Sequence, residues 1–163
     1  MAPSGVPFTK FNRTLEASVG YFELGMAEEA LRELDTLEPA DQSEEEVLEL
    51  RLVLNQHLGR WAGAAEACAG LCAIKGADID RFIGWGCCLY ELGRIAECRD
   101  AILKAPACAR DHGLWNFHLA CYEAILGNKD EARRLILRSL ELDPALRSMA
   151  LRNENLVPLL QKP

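Results

Sequence analysis

Residues 123–137 read EAILGNKDEARRLIL, and three earlier stretches follow the same plan: YFELGMAEEALREL at 21–34, LNQHLGRWAGAAEAC at 54–68 and CLYELGRIAECRDAI at 88–102. Each contains a Leu-Gly pair (Leu24-Gly25, Leu58-Gly59, Leu92-Gly93, Leu126-Gly127), and each pair stands 34 residues beyond the one before. A small residue follows five positions after the glycine (Ala30, Ala64, Cys98, Ala132), and an apolar one four positions further on (Leu34, Cys68, Ile102, Ile136). Three columns sharing one period define an internal repeat, and a period of this length belongs to stacked structural units.

Within one period the pattern is a helical hairpin. Apolar residues at helical spacing run up to each glycine and resume after it. Glycine stands between the two runs because the first helix ends through a left-handed residue, where a Cβ is penalised. First helices are expected near 9–24, 43–58, 79–92 and 111–126, and second helices near 27–38, 61–74, 95–105 and 129–142. A ninth helix is expected near 145–152, with irregular chain after Arg152. Pro39 and Pro106 fall earlier in their periods than Pro144, so the first and third second helices should be the shorter ones. Ser43 with Glu46, Asn128 with Glu131, Asp78 or Asp80, and Asp111 are the expected helix starts.

With 163 residues, half of them hydrophobic and 26% charged, the chain has the size and composition of one globular domain. A net charge of −7 gives no general attraction to phosphate backbones or anionic lipid, so neither nucleic acid nor membrane is an expected partner. The opening MAPSGVPFTK has neither a basic nor an apolar leader segment, which makes the cytoplasm the expected location. Seven cysteines, an odd number, then read as reduced thiols that pack as small hydrophobes.

The period, the Leu-Gly pair between paired helices and the small residue in the second helix together resemble the tetratricopeptide repeat. Residues 126–144, LGNKDEARRLILRSLELDP, come nearest to the family pattern and include its closing proline as Pro144. The resemblance covers about Thr9 to Pro144. The stretch ALRSMALRNENLVPLL at 145–160 looks like the capping helix and docking segment of small stand-alone bacterial members. What this implies is an all-α fold, a right-handed α-solenoid of four hairpins plus a C-terminal capping helix. The implied layout is a flexible N-terminus at 1–8 and a single repeat domain at 9–152. Its repeats lie near 11–42, 45–76, 79–110 and 113–144, followed by the capping helix and a tail at 153–163. The family's first-helix aromatic survives as Tyr21, but Asn55, Leu89 and Glu123 hold the matching places, and Arg51 and Asn55 stand where the second unit should pack.

In the family the first helices line a concave surface where peptides bind. Carried over by register, twenty first-helix positions line that surface, and the contacts expected among them are Phe22, Glu23, Glu49, Val53, Gln56, Tyr90 and Glu91, with apolar anchoring from Phe117 and Cys121. No Lys or Arg occupies the register positions, while Glu23, Glu46, Glu49, Asp80 and Glu91 are acidic. A basic or neutral protein or peptide with apolar anchors therefore suits this face better than an acidic tail. The same carboxylates also read as a solvated surface. The apolar fourth unit (Leu114, Phe117, Cys121, Ile125) reads as a ligand pocket, as a self-association surface, or as a face covered by the ninth helix and the LVPLL tail.

Chemistry does not assemble in the sequence. Cys108, His112, His118 and Cys121 have a spacing that resembles a zinc-ligand string, but zinc needs four ligands converging on one point. If Asp111 opens a helix, His118 and Cys121 share a face and His112 points away. No metal or cofactor is expected. Of the three histidines, only His57 is expected toward the concave face, and its neighbours Glu49, Val53 and Gln56 include no nucleophile. The expected function is a non-enzymatic interaction scaffold that binds a peptide or partner protein. A homodimer or larger assembly through the fourth repeat or terminal helix is the alternative, and a secretion-type chaperone a more distant one.

Overall fold

The hairpins close where the repeat places their glycines, and one backbone device closes all four. The structure is a computed structural model that describes residues 9–161, so the expectation for 1–8 lies outside the described residues. Its α-helices are α1 (Lys10–Glu23), α2 (Ala27–Leu34), α3 (Glu45–His57), α4 (Trp61–Ala73), α5 (Ile79–Glu91), α6 (Ile95–Ile102), α7 (Gly113–Ile125), α8 (Lys129–Leu142), α9 (Arg147–Ala150) and α10 (Val157–Leu160). No strand occurs among the described residues.

Gly25, Gly59, Gly93 and Gly127 take φ of 76°, 66°, 69° and 87°. The residue after each glycine donates its N–H five positions back: Met26 to Tyr21 O (2.9 Å), Arg60 to Asn55 O (2.8 Å), Arg94 to Leu89 O (3.1 Å) and Asn128 to Glu123 O (2.9 Å). Each glycine donates three positions back, as Gly93 does to Tyr90 O at 2.8 Å. This is the Schellman arrangement, which satisfies carbonyls the helix end leaves open. The residue that completes it also starts the second helix, with no side-chain cap in any of the four.

That device accounts for one correction. Asn128 does not cap α8; its Nδ2 donates instead to the buried Glu123 carboxylate at 2.5 Å. Two further starts differ. Ser43 ends a 3₁₀ turn (Asp41–Ser43) and its hydroxyl donates to Ala40 O, so α3 begins after Glu44. Asp111 ends a 3₁₀ turn from Ala107, and His112 caps α7, its Nδ1 accepting from the Trp115 N–H at 3.3 Å. Asp78 does cap α5, accepting from the Arg81 N–H. As the early prolines imply, α2 and α6 have 8 residues against 13 in α4 and 14 in α8. The ninth helix is shorter than expected because a 3₁₀ turn at Pro144–Leu146 precedes it, and α10 forms where irregular chain was expected.

The helices gather into two compact units, Met1–Lys75 and Gly76–Pro163. In both, the repeat columns form the core: Ala30, Ala64, Cys98 and Ala132, and Leu34, Cys68, Ile102 and Ile136, are at most 2% exposed. In the first unit Phe22 and Leu58 pack against Leu34, Val47 and Leu54, and the buried Ser18 hydroxyl donates to Ala30 O at 2.9 Å. Polar groups also solve the second repeat's odd positions. Asn55 donates to Arg51 O, and Arg51 reaches Asp35 at 2.7 Å and Gln42 at 2.5 Å. In the second unit Ser139 donates to Gly113 O, and the Trp115 indole N–H donates to Ile102 O, both at 2.9 Å.

Candidate functional site

The expected contact residues divide between the two units. In the first, α1 carries Phe22 and Glu23, and α3 carries Glu49, Val53 and Gln56. Phe22 meets the His57 ring edge-on, centroids 5.3 Å apart. Phe22 is half-buried, while Glu23, Glu49, Val53 and Gln56 are exposed.

In the second unit the remaining four come together. Tyr90 and Glu91 on α5, with Phe117 and Cys121 on α7, line one cavity of about 240 Å³. Cys87 and Ile125 complete these two helix faces, since residues three or four apart lie above one another. Two wall residues were not expected there, His118 and Tyr122, one step around α7 from Phe117 and Cys121. Only His57 was expected to face inward; in fact the His118 Nδ1 lies 3.9 Å from the Cys87 sulfur. The signal was available, because His118, Tyr122 and Ile125 fall on one helical stripe, but a one-residue rotation of α7 decides between stripes. Asn153 closes the rim, its Nδ2 3.4 Å from the Cys121 sulfur. Beyond it Leu156 is fully buried and α10 packs on α8, so the LVPLL segment docks on the last second helix.

Tyr122 reaches this position because α5 has no side chain at Gly86. A Cβ there would come within 2.9 Å of the Tyr122 hydroxyl oxygen. The hydroxyl is buried beside Cys87, outside hydrogen-bond geometry with any partner. His118 and Tyr122 rings lie 6.2 Å apart, Tyr90 and Tyr122 rings 6.4 Å.

Burial sets the ionisation of the whole cluster. It raises the Cys87 thiol, pushes Cys121 up to about 12, raises Tyr122 and lowers His118. Thiol and imidazole are thus both neutral at pH 7, the reverse of the thiolate–imidazolium pair of an activated cysteine. Among the described residues no three His, Cys, Asp or Glu side chains are arranged to hold a metal. None of the seven cysteines forms a disulfide. No described helix is long and apolar enough to cross a membrane.

No family model and no curated protein matches this sequence. Solved structures do. MamA (41-end) from Desulfovibrio magneticus RS-1 has a TM-score of 0.66 at 16% identity, over 92% of this chain and 89% of that one. A MamA RS-1 ArsTM double mutant gives 0.67 at 16% identity, over 92% and 88%. PilF of Pseudomonas aeruginosa gives 0.64 at 20% identity, over 93% and 68%. Both are tetratricopeptide-repeat proteins, and at these identities the shared property is the fold.

Proposed function

We propose, from the premise of a tetratricopeptide-repeat fold, that this chain is a non-catalytic scaffold whose first-helix faces bind a peptide or a segment of a partner protein. The observation that carries the reading is the cavity between α5 and α7, which draws apolar walls and one carboxylate to a single place. A concave, largely apolar site with a few convergent polar groups is the ordinary form of a binding site. The acidic residues Glu23, Glu49 and Glu91 favour a basic or neutral segment over an acidic one. Selection from a displayed peptide library, counter-selected with a Glu49→Lys, Glu91→Lys variant, tests this. Binders lost by the variant support it; a library that yields none overturns it.

Self-association is the second reading. Leu137, Met149 and Leu151 near the C-terminus are 40–54% exposed, although Phe117 and Cys121 are buried. Light scattering across concentration decides it: a strict monomer removes this reading.

A further inference from the structure

The cavity between α5 and α7 has the size, lining and charge of a socket for one side chain. Its volume of about 240 Å³ exceeds the roughly 150 Å³ of an apolar cavity that binds benzene. It falls below the roughly 300–1,000 Å³ of sites for drug-sized ligands. One bulky side chain fits between those limits. Phe117, Cys121 and Ile125 make the wall apolar, and Glu91 is the only formal charge among the lining residues.

The remaining polar groups are neutral and poorly paired. The His118 ring offers one donor and one acceptor, and its contact to Cys87 is long at 3.9 Å. The Tyr122 hydroxyl is already buried beside Gly86 and Cys87, so it is the half-buried His118 ring that an anchor would cover. A Phe or Leu anchor would cover the His118 ring without pairing it, which is unfavourable. A carboxylate would be desolvated next to Glu91. An aromatic ring with a polar tip meets both conditions, and a neighbouring cation complements the carboxylate at the edge.

Resting on the reading of this face as a partner-binding surface, we infer that the cavity seats one Tyr or Trp side chain from a partner segment carrying Lys or Arg beside it.

Dye-labelled, amidated peptides with a central Tyr or Trp flanked by Lys test this on the whole chain, by anisotropy and by mass-spectrometric alkylation of Cys87. Replacing the aromatic by Asp is expected to weaken binding at least about ten-fold. Phe in its place should bind about three-fold or more weakly, and Glu flanks weaker still than Lys flanks. Bound peptide should slow alkylation of Cys87 and leave the exposed Cys108 unchanged. Ile125→Arg, at a partly exposed wall position, should abolish binding and protection together. Glu91→Gln should weaken the Lys-flanked peptide about three-fold and leave a neutral-flanked one unchanged. Binding that neither protects Cys87 nor responds to Ile125→Arg overturns the socket and leaves the wider scaffold reading standing. If none of these peptides binds while the library yields others, the inferred chemistry is wrong and the scaffold reading survives.

Discussion

Gly84 and Gly86 lie two residues apart inside α5, and the same substitution should act in opposite directions at the two sites. A Cβ on Gly84 meets nothing within 4 Å, whereas on Gly86 it comes within 2.9 Å of the Tyr122 hydroxyl oxygen and 3.3 and 3.4 Å of two ring carbons. Replacing an interior helical glycine by alanine gains about 1 kcal/mol in propensity at either site. That gain cancels between the two variants and leaves the overpacking cost at position 86, about 1–3 kcal/mol. With a urea m-value of about 2 kcal/mol per molar, a 2 kcal/mol difference separates the midpoints by about 1 M. Gly84→Ala should unfold above the wild type and Gly86→Ala below Gly84→Ala by that margin. Tyr122→Phe removes the nearest contact, so adding it to Gly86→Ala should narrow the gap. Alone it should leave stability unchanged or raised, because the hydroxyl it deletes is buried beside the Cys87 thiol without a well-formed hydrogen bond. Urea unfolding followed by far-UV circular dichroism, with m held constant, is the assay. Equal midpoints for the two alanine variants, or a Tyr122→Phe change that shifts both alike, would refute the seating of Tyr122 on Gly86.

Three other outcomes are expected. Gly93→Ala places a Cβ at φ 69° and should cost about 1–2 kcal/mol, with Gly93→Asn costing less; matched thermal melts read the order. Ser18→Ala and Ser139→Ala each delete a buried hydroxyl that donates to a backbone carbonyl, for about 1 kcal/mol apiece by urea titration. For pH, the folded chain holds the Cys121 proton up to about 12 against an ordinary value of 9.0. Folded protein thus binds more protons than unfolded protein over that window, and stability should fall as pH rises from 9. His118 is lowered from 6.5, so its neutral form favours the fold and stability should also fall as pH drops below 6.5. Denaturation midpoints that slope equally with pH in wild type, Cys121→Ser and His118→Gln would contradict both assignments.

Much of the hairpin architecture was written locally. A left-handed residue ends each first helix, only glycine occupies that conformation cheaply, and so four Leu-Gly pairs 34 residues apart mark four hairpins. The small and apolar columns after them are buried because hairpin packing leaves no room at those positions. Early prolines foretold the two short helices, α2 and α6. Caps were less legible: Asn128 and Ser43 have capping chemistry, but a Schellman turn and a 3₁₀ turn had already committed their neighbourhoods. The cavity was half legible. Tyr90, Glu91, Phe117 and Cys121 follow from register, whereas His118 and Tyr122 depend on the rotation of α7 about its axis, and Asn153 on where the tail docks. Helical periodicity states which residues share a stripe; only the packing of one helix on another, here Tyr122 over Gly86, selects the stripe that faces inward.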